Sequence, residues 1–176
     1  MRPFVLLVLA LFLVSFPLSV FAGDEVLTME QVRQILSTTR DFSGRNLSKL
    51  NLSGLDLSKA NFRGANLSNV QLKDANLSGA DLSGANLKDA YSPGVNLSGA
   101  DLNGANLYCV TFHKADLSAA NLRMTDLTIA EIVDANLAGA DFEGANIDRT
   151  VFTRTKMDNA KNFDKTKNRE KAIGLQ

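Results

Sequence analysis

The sequence predicts an all-β solenoid in which short extended segments, joined by bends, wind into a coil and stack in parallel. Three observations lead there. From Arg40 to Asn159 the chain divides into twenty-four uninterrupted fives of the form Ala-Asn/Asp-Leu-Ser-Gly, with Phe42 as the first centre. Ten of the twelve glycines fall two residues past a centre. Residues twenty apart also match in kind: Asn46, Asn66, Asn86, Asn106, Asp126 and Asn146 form one column, and Asp41, Asn61, Asp81, Asp101, Asn121 and Asp141 another.

The period of five excludes both regular elements. Apolar residues sit at the centre and two before it, as in Ala75 and Leu77. On an α-helix five residues turn through about 500°, so the stripe drifts by about 140° per repeat and makes no single face. On a straight strand an odd period sends every second Leu to the wrong side. One extended run and one bend per repeat keep all these side chains inside. Gly tolerates the positive φ of such a bend, and Asn, Asp and Ser supply turn-compatible polar groups. Pairing from coil to coil then leaves open ladders only at the two ends.

The twenty-residue columns set four repeats per turn, hence a square coil of about six turns. At about 4.8 Å per coil the rod is about 29 Å long. The tandem A(N/D)LxG pattern closely resembles the pentapeptide-repeat family over about 120 of the 176 residues. That resemblance implies a right-handed quadrilateral β-helix, with the centre and the residue two before it pointing inward.

Residues 1–22 read as a signal peptide. Arg2 supplies the charge, Phe4 to Phe16 is almost purely apolar, and Val20-Phe21-Ala22 suits cleavage after Ala22. The run is short for a span of about 20 apolar residues, and Pro17 interrupts it, so membrane contact is expected only in transit, with a retained anchor as the alternative. No Cys follows the cut, which argues against a lipoprotein.

Residues 23–39 read as an N-terminal cap. A helix is expected over 28–39: Thr28 and Gln31 make a capping box, and Met29, Val32, Ile35 and Leu36 share one apolar face. The first coil carries Arg40, Arg45, Leu50 and Leu55 where later coils use Ala, so this helix is assigned as a lid on the open end. A partner-binding helix is the alternative.

Residues 40–159 form the rod itself. Burying one Leu contributes about 1.5–3 kcal/mol, so each interior coil is apolar enough to hold together. The one failure is Ala90-Tyr91-Ser92-Pro93-Gly94, where Ser92 takes a Leu position and Pro93 removes a donor from the ladder; a kink or bulge is expected. Residues 160–176 break the pattern and are basic, and they read as a C-terminal cap fraying into a solvated tail.

Charge narrows the function. The nineteen cationic and nineteen acidic residues balance, and loss of Arg2 leaves −1. No basic stripe invites nucleic acid. Nor is the surface acidic enough to imitate DNA, the means by which some pentapeptide-repeat proteins bind topoisomerases. Export to a periplasm, the medium or a thylakoid lumen would also separate the protein from cytosolic gyrase.

Sorted by side, the repeats are unequal. Three sides keep Asn or Asp before the centre almost throughout. The side centred on Leu52, Leu72, Ser92, Phe112, Ile132 and Phe152 instead carries Asn51, Gln71, Tyr91, Thr111, Glu131 and Val151 there. One past the centre it reads Ser53, Lys73, Pro93, His113, Val133 and Thr153. The preceding corner adds Tyr108, Cys109 and Ile129. Almost every outward aromatic or apolar residue, with the sole His and Cys, is expected on this edge. Tyr91, Pro93, Tyr108, Cys109, His113, Ile129, Val133 and Val151 are therefore the candidate protein-contact face. A side left free to vary without purpose explains the same pattern.

No catalytic, cofactor or metal site is assigned. Cys109 and His113 sit across one bend, but a nucleophilic pair needs an orienting third group and a pocket, and two ligands are half a zinc site. Being alone, Cys109 has no intrachain disulfide partner. The Asn-Leu-Ser sequons at Asn46, Asn51, Asn66, Asn76 and Asn96 are by-products of the repeat. The expected protein is an exported, non-catalytic scaffold for an unidentified protein partner or for self-association. An enzyme or metal-binding protein using Cys109, His113 and Tyr108, and a topoisomerase-protecting DNA mimic, are the alternatives.

Overall fold

A computed structural model describes residues 25–175; the expected signal peptide lies outside the described residues. Each repeat folds by the same local chemistry. The N–H of Ala80 donates to the carbonyl of Leu77 at 3.0 Å, closing a four-residue turn. The third residue of every such turn has positive φ, from Gly44 to Asn159, the condition that a type II turn sets. This is why Gly concentrates at that phase.

Most of the remaining backbone groups of a regular repeat are met by a neighbouring coil or by one side chain. Parallel bridges join residues twenty apart without a break from Asp41↔Asn61 to Asp141↔Lys161. The Leu77 N–H reaches the Asn96 carbonyl at 2.7 Å, so Leu77 and Leu97 share one column. The N–H just past the centre takes no part in this ladder. It donates instead to the Asn or Asp two residues before it, as Ser98 does to Asn96 Oδ1 at 3.0 Å. The same side chains link successive coils: Asn121 Nδ2 donates to Asp101 Oδ1 at 2.8 Å and Asn136 Nδ2 to Asp116 Oδ1 at 3.1 Å. Asn and Asp are thus required by two bonds, one within the repeat and one between coils.

The centres and the small residues two before them fill the interior. Leu47, Leu67, Leu87 and Leu107 are fully buried, as are Ala65 and Ala85 in the same set. Phe42 stacks on Phe62 with ring centroids 4.9 Å apart. Thr125 and Thr150 replace Ala at the small phase, and each buried hydroxyl donates to a backbone carbonyl at 2.7 Å. None of the described helices is long and apolar enough to cross a membrane.

Helix α1 runs Met29–Ser37, and the capping box is present: Gln31 N–H donates to Thr28 Oγ1, and Thr28 N–H to Gln31 Oε1 at 2.7 Å. Val32 is buried on its inner face, with Met29, Ile35 and Leu36 packed against the core. Ahead of it Val26 pairs with Asn46 as a fragment of a preceding coil. Arg40 completes this end. Its Nη2 donates to the Asp56 carbonyl at 2.9 Å and its Nε to the Ser58 carbonyl at 3.1 Å. In later coils the equivalent carbonyls, such as Asn76 and Ser78, accept ladder N–H groups from the coil before. One guanidinium therefore replaces two backbone donors, which accounts for a large residue at a phase that elsewhere holds Ala.

Two expectations need correction. The ladder runs straight through the irregular repeat: Gln71↔Tyr91↔Thr111 stay in register, Ser92 N–H donates to Thr111 at 3.0 Å, and the Pro93 carbonyl accepts from Asp74 at 2.9 Å. No kink forms, because Pro93 occupies the one position whose N–H the ladder never uses. Ser92 keeps its inward place, fully buried, with its hydroxyl unpartnered. Pairing also continues past Asn159. The steps lengthen to Lys161, Lys167 and Ile173, each six apart, because single 3₁₀ turns at Phe163–Lys165 and Arg169–Lys171 replace the five-residue bend. The stretch expected to fray into a solvated tail is thus paired as far as Ile173, because the extra residue in each turn accommodates the break in the period of five.

Candidate interaction face

The irregular side differs from the other three in its backbone as well as its side chains. At Ser53 the bond to Asn51 Oδ1 is made, at 3.1 Å. Beyond it, no residue of this side has Asn or Asp before the centre. Among the described residues the N–H groups of Lys73, His113, Val133 and Thr153 consequently have no side-chain acceptor, and Pro93 has no N–H at all. The ladder that positions these groups remains intact. The result is a straight file of outward amide donors, interrupted once by a Tyr-Pro step.

The predicted contact residues are distributed unevenly over this surface. Tyr91 is 52 % exposed and Cys109 is exposed, whereas Pro93, Tyr108, His113, Ile129, Val133 and Val151 are half-buried. Lys88 Nζ lies 5.2 Å from the Tyr108 ring centre, a cation–π contact that covers part of that side chain. Sequence reasoning also missed Met124, which is 60 % exposed on another side. It lies over Gly144, where a Cβ would come within 2.5 Å of its sulfur. The glycine that clears this space lies twenty residues on, so no local pattern marks it.

Polar groups on the lower half of the face are paired with one another. His113 Nε2 lies 2.9 Å from Glu131 Oε2. Arg154 binds Asp134 through both carboxylate oxygens, at 2.5 and 2.7 Å, and these bonds hold the Asp134 carboxyl below its usual range. A shallow groove of about 420 Å³ follows, lined by Lys114, Asp116, Asp134, Asn136, Arg154 and Lys156.

Cys109 and His113 have different partners. Partial desolvation of the sulfur, then a hydrogen bond to Asp89 and the charge of that carboxylate, raise the Cys109 thiol above its ordinary range. This is the reverse of what activates a nucleophilic cysteine. His113 is engaged by Glu131. Among the described residues no three His, Cys, Asp or Glu side chains converge as a metal site.

A family model described as pentapeptide repeats matches in eight copies, over residues 41–73, 65–91, 94–128 and 130–167. No curated protein matches the chain. Among solved structures, trypsin-treated QnrB1, a plasmid-mediated fluoroquinolone resistance protein, is 17 % identical with a TM-score of 0.51. The match covers 66 % of this chain and 73 % of that one. A pentapeptide-repeat protein of the cyanobacterium Cyanothece 51142 is 22 % identical, covering 84 % and 100 % with a TM-score of 0.36. One from the Arabidopsis thaliana thylakoid lumen is 30 % identical, covering 61 % and 68 % with a TM-score of 0.23. The likeness to QnrB1 concerns the fold alone.

Proposed function

The chain belongs to the pentapeptide-repeat family, and on that premise we propose that it is an exported, non-catalytic interaction module whose irregular side receives a partner. In this reading the rod is a right-handed square solenoid of six coils, α1 is the lid over its first coil, and residues 1–22 are removed on export. The partner is another protein or a second copy of the chain.

One observation carries the reading: three sides use their outward amides internally, and the fourth, beyond Ser53, does not. On those three sides an Asn or Asp oxygen occupies nearly every such N–H, as at Ser68, Ser78 and Ser83. On the irregular side the donors at Lys73, His113, Val133 and Thr153 are left for solvent or a partner. Tyr91, the most exposed aromatic among the described residues, stands in the same file. A ring with an apolar body beside open hydrogen-bond donors suits a protein contact.

The alternatives fit these observations less well. A DNA mimic needs a strongly acidic surface, and this chain is balanced. A Cys–His enzyme needs the two groups to address each other, and His113 is engaged by Glu131 instead.

The test is capture by the purified protein from the exported fraction of its own source cells. Wild type is compared with Tyr91→Ala/His113→Ala and with Ser78→Ala/Ser98→Ala, a control on a regular side. Partner recovery should fall at least tenfold for the first variant and hold for the second. Equal recovery by all three sinks the assignment of this side. Cys109→Ala should leave capture intact; its loss would favour the cysteine-based reading.

A further inference from the structure

We propose a second interaction site, at the cleft beside the six-residue turns, that binds an acidic protein segment carrying one apolar side chain. The cleft measures about 310 Å³ and is lined by Phe152, Met157, Phe163, Leu175, Arg154 and Arg169, among others. It exists because the local period changes. The extra residue in the first 3₁₀ turn carries Phe163 inward, where its ring meets Phe142 and Phe152 edge to face at 5.2 and 5.8 Å. The widened coil leaves Met157 and Leu175 only partly buried above that aromatic floor.

Arg154 and Arg169 line the rim, on a stretch rich in cations. Residues 154–171 hold seven cations against three carboxylates, in a chain whose charges balance as a whole. Three of the seven are engaged: Arg154 by Asp134, Lys165 by Glu143 at 3.6 Å, and Lys171 by Asp148 at 3.6 Å. Lys156, Lys161, Lys167 and Arg169 are exposed, and none has an ion-pair partner among the described residues. The first three are the ladder residues of successive sides, paired through the backbone with Asn136, Asp141 and Asn146. Rigid pairing thus places them at fixed intervals as a collar. Arg169 lies over the Phe163 ring at 5.1 Å, which fixes the guanidinium at the edge of the apolar floor.

An apolar floor edged by Arg169, on a stretch with a net cationic excess, selects for a carboxylate next to a buried side chain. A second copy presenting this same end would oppose one collar with another, so self-association through it is disfavoured by charge. A nucleic-acid backbone would satisfy the collar and leave the apolar floor uncovered. An acidic peptide with an aromatic residue satisfies both.

The probe is a fluorescein-labelled peptide of four Glu flanking one Phe, titrated with purified protein and followed by anisotropy. Wild type should bind it, and the affinity should fall at least tenfold when Phe is replaced by Gly or when the four Glu become Lys. Lys167→Glu/Arg169→Glu should lose binding at least tenfold, as should Ala160→Phe, which fills the cleft without changing charge. Unchanged circular dichroism and melting separate these effects from misfolding. Tyr91→Ala should bind normally, so failure at this site and failure at the irregular side are read independently. Absence of binding by wild type, or equal binding of the Phe-less peptide, overturns the proposal. So does a concentration-dependent dimer, seen by light scattering, that Ala160→Phe abolishes. Binding to phosphatidylglycerol vesicles that persists in Ala160→Phe, with no peptide binding, likewise overturns it.

Discussion

Tyr91 and Pro93 form a matched pair: one lacks the side-chain oxygen that would accept an amide, and two residues on the other lacks the amide. On the other three sides the corresponding residues bond each other, as Asn96 and Ser98 do at 3.0 Å. The ladder on either side is undisturbed because it uses neither group. An apparent defect in the repeat is therefore locally self-consistent.

This pairing predicts non-additive energetics. Tyr91→Asn alone supplies an acceptor with no donor, and Pro93→Ser alone supplies a donor with no acceptor. The double substitution restores the bond found in most repeats. Its coupling energy should be favourable by about 0.5–1.5 kcal/mol, the usual net value of one such bond. Urea denaturation of the four proteins measures it, and a coupling near zero would show that the side-chain bond contributes nothing here.

Arg40 makes a second prediction. Its guanidinium supplies both donors that a preceding coil would have given to Asp56 and Ser58. Arg40→Met keeps the packing of the stem and leaves two carbonyls of the first coil to water. Stability should fall by about 1–2 kcal/mol, and amide exchange should accelerate in the first coil before the rest. Uniform acceleration along the rod would mean that the end is held by other contacts.

Much of this was legible before any coordinates. The phase of Gly gave away the bend, and Asn46, Asn66 and Asn86 recurring at twenty gave the stacking, because ladder pairing forces like residues into columns. What stayed hidden were partners fixed only in three dimensions. The sequence marks Asn96 as turn-compatible but not its bond to the Ser98 N–H, and so Pro93 reads there as removing a ladder donor. The sixes at Lys161, Lys167 and Ile173 escaped a period of five.

The bend phase also stores strain where Gly is absent. Ile129 has φ 52°, a conformation that β-branched residues avoid. The left-handed region costs an ordinary L-residue about 1–2 kcal/mol, more than the entropic penalty of Gly at about 0.5–1 kcal/mol. Ile129→Gly should therefore stabilise the protein by about 0.5–1 kcal/mol in a denaturant melt. A loss of stability would show that packing of the Ile129 side chain outweighs its backbone strain.

Acid should weaken the rod, and the direction follows from which state holds protons. The Asp41 carboxyl is held below its usual range chiefly by the Ser43 backbone N–H, and that of Asp56 by the hydroxyl and then the N–H of Ser58. At Asp81 and Asp141 burial pushes upward but is outweighed, by Ser83 and Arg63 at the first and by Asn162, the Glu143 N–H and Arg123 at the second. Each group thus releases its proton more readily folded than unfolded. Above the unfolded value near 3.8 the stabilisation is fully present. As pH falls below it the unfolded chain takes up protons first, and the stabilisation disappears as pH passes down through the depressed folded values. The urea midpoint should be level from pH 7 to 5 and drop steeply below about 4. Asp81→Asn keeps an oxygen for the Ser83 N–H but has no proton to gain, so its profile should be flatter than wild type. A wild-type midpoint that holds level from pH 5 to 2 would mean that the outward Asp columns make no pH-linked contribution to stability.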